Sequence, residues 1–397
     1  MPSRLFNPER RRRPVRKHFS YIPGAHIIYV VPPACCRCRW FEHEVFDGPG
    51  HISFIYTDDT DIAMGNFTDQ IVKGINQTLP FLATRPEVIQ ICFTCAFEVV
   101  GVDYDILVAD LEQAFDGIDF LVFPIHHLLV HGGNLPPENR EASLYKALRR
   151  RMEPDPHAVN VLDSPVDTTP GNELFDALRA CGITTIRQPL RMKTYREFCD
   201  MASSCLNIPI GRMCEPACTD MERRLGIPWM RVPETYSPTR LQQSLAELCN
   251  RFGVDAPDIQ QKVDECVELG RQAARAFEGH PVVVMEGNVI DSIDLTHALL
   301  TFGFDVVGMA TLFFKDFGES DLVDGIRSMA PGITMFNNRD SQVLRFPQNA
   351  VVFGGPSRVI DGPQYFFEAT THGKSYGLDR IAAYYKSLIA FAQKELS

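Results

Sequence analysis

The feature that most constrains this chain is an alternation of short apolar runs with amphipathic helical stretches, repeated along its 397 residues. The first block holds "AHIIYVV", "HISFIYT", the helical segment "DQIVKGINQTL", "VIQICFT" and "FLVFPIHHLLV". In the helical segment Ile71, Val72, Ile75 and Leu79 recur at helical spacing and share one face. The second block opens with "HAVNVLD" and passes through "NELFDALRACG", where Leu174, Phe175 and Leu178 face inward and Gly182 suits a C-terminal cap. It continues with "ITTIRQ", "CLNIPIG" and "GIPWMRV". The third block runs from "HPVVVMEG" through "SIDLTHALLTFG" and "FDVVGMAT" to "NAVVFGGPS". Strands that are apolar throughout and alternate with helices predict parallel sheets covered on both faces. The expected fold class is therefore α/β, with three Rossmann-like, doubly wound parallel-sheet domains.

Length agrees with that, at roughly 150 residues per domain. Charge, Pro and Gly interrupt the pattern near "RRRMEPDPH" and "ARAFEGHP". The domains are expected at 1–150, 151–278 and 279–362, followed by a C-terminal helical segment, 363–397. A net charge of −11 argues against broad nucleic-acid binding, which needs a basic footprint. The one basic cluster, "ERRRRPVRK" at 9–17, reads as a solvated arm, with partner docking as the sharper alternative. No secretory leader pattern is visible, and no run approaches the roughly 18 apolar residues needed to span a bilayer. A cytoplasmic location, with no membrane and no nucleic-acid partner, is expected.

Twelve cysteines are many for a compartment where disulfides rarely persist, and clustered cytosolic cysteines more often bind metal or carry out redox chemistry. "CCRC" and "CFTC" supply five candidates: Cys35, Cys36, Cys38, Cys92 and Cys95. All fall at or near the carboxyl ends of apolar runs in the first block, where ligands of open α/β sheets bind. Four thiolates suit an iron–sulfur cubane or a zinc ion. A zinc ribbon is disfavoured because its cysteine pairs sit on small hairpin knuckles. Buried thiols with no ligand role remain the alternative, most of all for Cys92 inside its apolar run. Cys214 and Cys218 have i, i+4 spacing and either ligate from one helix face or are partly buried core thiols. Cys181, Cys249 and Cys266 sit in helical patterns and read as small core residues.

Other motifs are decoys. "HGKS" at 372–375 imitates the end of a phosphate-binding loop, but the position that needs the first glycine holds Glu368. Gly132–Gly133 and Gly354–Gly355 lack the dinucleotide spacing, and His126 and His127 read as strand-end residues.

Several stretches together resemble nitrogenase component 1 and its relatives, on the α-type subunit side. "GAHIIYVVPPAC" resembles the family's strand into a cysteine cluster loop. "TDIAMGNFTDQIVKGINQTLP" is similar to the glycine turn and helix that follow. "IQICFTCAFEVVGVDYD" matches its strand, its cysteine and an apolar-apolar-Gly-x-Asp turn. "LNIPIGRMCEPACTDMERRLGIPWM" and "SYGLDRIAAYYKSL" are similar to later family segments. The resemblance implies a subunit that holds an iron–sulfur cluster at a contact with a homologous subunit, in a homo- or heterodimer. It receives low-potential electrons from a separate ATP-dependent iron–sulfur reductase, resembling the nitrogenase iron protein, and passes them to a reducible substrate or a second metallocofactor.

By this resemblance Cys35 and Cys95 are the matched cluster ligands, Cys36 and Cys38 compete for a third place, and Cys92 comes last. "KHFSYIPG" lacks a cysteine that the family carries near the start of its first domain, so a four-iron cluster is expected over an eight-iron one. The family's cofactor cysteine and histidine align with Ile210 and Phe367, while Cys214 and His372 lie nearby. This argues against dinitrogen as the substrate. Cys214, Cys218, Arg212 and His372 are the candidates for a second cofactor site, Arg212 through an anionic cofactor or substrate group or, alternatively, as a salt-bridge residue. A scaffold for metallocofactor assembly and a non-catalytic partner subunit are the competing functions.

Overall fold

The computed structural model describes residues 22, 24–33, 52–65, 67–125, 142–162, 172–211, 214–285, 291–310, 320–337, 342–355, 357, 359–368 and 376–396. Contacts gather the chain into two compact units, Met1–Ser164 with Thr185–Met230, and Pro165–Thr184 with Arg231–Ser397.

In the first unit β1 (Ala25–Val31) and β2 (Ile52–Tyr56) lead into α1 (Asp59–Met64) and α2 (Phe67–Thr78). Then come β3 (Val88–Thr94), α3 (Cys95–Val99), α4 (Tyr104–Ala114) and β4 (Asp119–Ile125). The four strands form one parallel sheet in the order β2-β1-β3-β4. Both of its faces are covered. Ile28, Val30, Ile89, Ile91 and Phe93 pack with Ile71, Ile75, Leu107 and Leu111 of α2 and α4. Ile27, Tyr29, Val31, Val88, Cys92, Leu121 and Phe123, on the opposite face, belong to a second cluster. That two-sided burial is why β1 and β3 read as largely apolar runs, with His26, Gln90 and Thr94 as their polar residues.

A second parallel sheet has the order β6-β5-β7, from β5 (Asp155–Leu162), β6 (Thr185–Arg187) and β7 (Ser204–Pro209). The chain passes through α5 (Glu173–Ala180) before β6, α6 (Tyr195–Cys199) before β7, and α7 (Glu215–Leu225) after it. Cys181 and Gly182 close α5, with Gly182 at φ 76° donating to the Arg179 carbonyl, as its position after the apolar face predicts. "GIPWMRV" does not form a strand. Pro228 has no N–H to give a ladder, and only the Asn207–Trp229 bridge joins this segment to β7.

The second unit adds α8 (Pro238–Arg251), α9 (Gln260–Ala276), β8 (Val282–Val284), α10 (Ser292–Phe302) and β9 (Val306–Ala310). It continues with α11 (Ser320–Met329), β10 (Thr334–Phe336), β11 (Leu344–Arg345) and β12 (Val351–Phe353), then β13 (Ile360–Asp361), β14 (Tyr365–Phe367) and α12 (Leu378–Glu395). Its five-stranded parallel sheet has the order β10-β9-β8-β12-β14, and β11 pairs with β13. Strands run outward in both directions from β8, the doubly wound pattern expected from the sequence. A buried polar anchor ties α10 to the chain before α8. The Asp294 carboxylate accepts hydrogen bonds from Thr235 Oγ1 (2.8 Å) and the Tyr236 N–H (2.7 Å), and it pairs with Arg240.

Candidate functional site

In a doubly wound sheet the ligand crevice lies where strand order reverses, at the carboxyl ends of two neighbouring strands. In the first sheet that place is between β1 and β3, paired from Ala25↔Val88 to Val30↔Phe93. The chain leaves β1 at Val31 and reaches Cys35 two residues after Pro33; it leaves β3 at Thr94, and Cys95 is the first residue of α3. Both cysteine segments therefore emerge from the switch point itself. Cys35, Cys36 and Cys38 lie outside the described residues, and only the backbone of Cys95 is described.

The turn after α3 shows what its glycine and aspartate do. Gly101 takes φ 70°, and the Val102 N–H returns to the Phe97 carbonyl at 3.3 Å. Asp103 then caps α4, its carboxylate accepting from the N–H groups of Asp105 and Ile106 at 3.1 Å each. The motif stops one helix and starts the next directly behind Cys95. Val99, Val100 and Ile106 are exposed around it.

The same rim carries orphaned polar groups. Thr94 is 5% exposed and Thr57, just past β2, is 1% exposed, and neither hydroxyl has a hydrogen-bond partner among the described residues. Gln90 is fully buried with both amide atoms unmatched. Alternation along β3 puts Gln90 and Thr94 on the face of Cys92. Each such group costs about 1–3 kcal/mol when left unsatisfied, so each calls for a partner beyond the described residues. A groove of about 1150 Å³ follows the edge strand β2 and includes Pro33 and Thr57, with Asp58, Asp61, Gln70 and Lys73 along its wall. Sequence reasoning passed over these polar residues. The signal was present in "VIQICFT", where Gln90 and Thr94 break an otherwise apolar face.

Cys92, Cys214 and Cys218 lie in the interior. All three belong to the apolar cluster that also holds Ile27, Tyr29, Met221 and Ile227. Cys214 occupies the position that starts α7 and is 2% exposed, while Cys218, one turn later, is fully buried. Burial pushes the Cys218 thiol well above its ordinary range, and Glu215 and Glu222 push it further. A thiol so placed is protonated. "GIPW" is structural in the same region: Gly226 closes α7 at φ 66°, and the Pro228 carbonyl accepts from the Asn207 N–H at 2.9 Å. Arg212 and His372, the other candidates for a second cofactor, lie outside the described residues, as do His126, His127 and the "HGKS" stretch. Among the described residues no group of three or more His, Cys, Asp or Glu side chains is arranged to hold a metal ion, and no helix is long and apolar enough to cross a membrane.

The sheet topology places the chain in the class of doubly wound α/β proteins. The family follows from comparison: the model described as nitrogenase component 1 type oxidoreductase matches residues 19–342, and the chain belongs to that family. Among solved structures it is similar to nitrogenase Cp1 at pH 6.5, with a TM-score of 0.67 and 12% identity over 94% of this chain and 90% of that one. It is also similar to nitrogenase Cp1 at pH 5, with a TM-score of 0.57 and 13% identity over 94% and 86% of the two chains. At that identity the likeness is one of fold. No curated protein matches the chain.

Proposed function

We propose that this chain is a nitrogenase-like component 1 subunit that passes low-potential electrons, through an iron–sulfur cluster, from an ATP-dependent iron–sulfur reductase to a reducible substrate. The observation that carries the reading is the switch point: β1 and β3 are adjacent, and each delivers a cysteine segment at its carboxyl end. The residues there fit such a group. Thiols are the donors that iron–sulfur clusters take, and the hydroxyl of Thr94, next to Cys95 in sequence, has no partner among the described residues. Cys35 and Cys95 are the proposed ligands, Cys36 and Cys38 compete for a third place, and Cys92, inside its strand, is the weakest candidate.

When bound, the cluster, a four-iron one shared with a homologous subunit in this reading, supplies one-electron transfer. The protein's own part is to present the thiolates on two neighbouring strand ends, to exclude water with the apolar faces behind them, and to offer hydroxyl donors at the rim, which raise the potential of a reduced sulfur centre. The exposed Val99, Val100 and Ile106 add apolar surface beside the site for a protein partner. In this reading the chain has three domains, 1–150, 151–278 and 279–362, followed by the helical segment 363–397. Limited proteolysis that releases fragments ending near residues 150 and 278 supports that division.

One observation favours a second reading. Cys218 is buried, protonated and surrounded by apolar side chains, which suits a packing role better than anchoring a second metallocofactor with Cys214, Arg212 and His372. A partner subunit or assembly scaffold with the cluster side alone has this character.

Anaerobic purification, iron and sulfide analysis, and paramagnetic resonance after dithionite reduction test the main reading. Iron and sulfide in equal amounts, lost in both Cys35→Ala and Cys95→Ala, are expected. Unchanged iron and an unchanged spectrum in those variants defeat the ligand assignment. Turnover at full rate with an artificial reductant and no ATPase removes the need for the reductase.

A further inference from the structure

In the second unit two thiols face each other away from the cysteine loops. Cys181 ends α5, with its N–H donating to the Ala177 carbonyl at 3.0 Å and Gly182 turning the chain immediately after it. Cys249 lies in the last turn of α8 and is fully buried. The Cys181 thiol donates to Cys249 Sγ at 3.8 Å, and the Cys249 thiol in turn points at the Ala177 carbonyl at 3.9 Å. One carbonyl thus holds the Cys181 backbone and the Cys249 side chain. The sulfurs are in van der Waals contact, too close for any atom to lie between them. Closing the 3.8 Å gap to an S–S bond of about 2.05 Å takes about 1.8 Å, shared between two side-chain rotations.

We propose that Cys181 and Cys249 are an oxidisable dithiol, and that a hydroperoxide converts them to a disulfide joining the C-terminal end of α5 to the last turn of α8. Cys181 is the half-buried partner and meets the oxidant first. Its sulfur takes one oxygen of the peroxide, the O–O bond breaks, and the other oxygen leaves as an alcohol, or as water when the oxidant is hydrogen peroxide. The Cys249 sulfur then attacks the sulfenic sulfur of Cys181. The S–S bond forms, the S–O bond breaks, and the departing oxygen takes up a proton to leave as water. The two sulfurs together give up two electrons, the peroxide accepts them, and both thiol protons finish on oxygen.

Burial pushes the Cys181 thiol up to about 12, and burial raises Cys249 as well. Thiolate is the attacking form, so the pair persists as a dithiol near neutral pH and closes under sustained oxidant. Cys266, the other helical cysteine of this unit, points elsewhere: its thiol donates to the Leu378 carbonyl at 3.4 Å. The bond spans 68 positions of sequence, and a cross-link over such a span restricts the unfolded chain. The oxidised second unit is therefore the harder one to unfold. None of this depends on what the first unit binds.

The test uses the full-length protein, kept anaerobic or exposed to hydrogen peroxide, then denatured, alkylated and digested without reductant. The expected result is a peptide pair linked through Cys181 and Cys249, two hydrogens lighter than the separate peptides and released by dithiothreitol. It disappears in Cys181→Ala and in Cys249→Ala. Complete alkylation of both residues after oxidation, or sulfinic acid on Cys181 with Cys249 still a thiol, overturns the proposal. Because the wild-type protein supplies the deciding measurement, poor folding of either variant leaves the test intact.

Discussion

The first and third sheets follow the same doubly wound plan and differ in what their switch points carry. In the first, strand order reverses between β1 and β3, and the exits lead to Cys35 and Cys95. In the third, it reverses between β8 and β12, whose exits are Met285 and Gly354. The polar groups near these ends differ as well. Thr57 and Thr94 are buried at the rim of the first sheet with no partner among the described residues, whereas the Asp294 carboxylate on α10, the helix after β8, is met by Thr235, Tyr236 and Arg240. One plan thus carries different residues at its two switch points: cysteines past β1 and β3 in the first sheet, methionine and glycine past β8 and β12 in the third. The residues at the strand ends, not the fold, carry the difference.

The largest expected effect breaks the comparison outright. Cys95→Ala should reduce bound iron to background and abolish the reduced-state resonance signal, while Gly354→Ala, at the matching exit, should leave both unchanged. Equal iron loss in the two variants would mean that iron retention reports general folding. Next in size, Asp294→Ala should destabilise the second unit by about 3–5 kcal/mol in denaturant unfolding, because it removes the buried carboxylate that Thr235, Tyr236 and Arg240 share. A loss below 1 kcal/mol would show the network to be ornamental.

Gly354 itself holds φ 129° and donates to the Phe367 carbonyl at 2.8 Å. Gly354→Ala should therefore cost about 1–3 kcal/mol through backbone strain, read from the same unfolding curves. Cys218→Ala should cost only about 1 kcal/mol, as the loss of one buried sulfur, with iron content unaltered; loss of a second metal species would instead revive a cofactor role for it. The smallest effect has the opposite sign. Thr94→Val removes an unmatched buried hydroxyl at constant shape and should stabilise the metal-free protein by about 1 kcal/mol, while moving the potential of the iron-loaded protein to lower values. Destabilisation of the metal-free form would show that the hydroxyl already has a partner.

Much of this was legible in the residues. Largely apolar runs such as "IIYVV" and "VIQICF", the latter broken only by Gln90, announce strands buried on both faces. Gly182 and Asp103 announce a helix end and a helix start through backbone freedom and a carboxylate cap. The short strands β10 and β14 were not anticipated, since three residues carry too little periodicity to be told from loop. Cys214 and Cys218 showed their spacing, yet the i, i+4 rule states only that they share a helix face. It does not say whether that face meets a ligand or a core.

The sequence by itself determined the α/β class, the parallel pairing and the placing of cysteines just past strand ends. These follow from local pattern, because which residues can be buried together along one strand or helix is a matter of periodicity. Tertiary structure alone decided that β3, not β2, lies beyond β1 on the inner side, that Cys92 and Cys218 share an apolar interior, and that Cys181 meets Cys249 across 68 positions. Strand order and long-range contact depend on how the helices pack over the sheet, and a pattern of faces reports which side is buried without naming the neighbour that buries it.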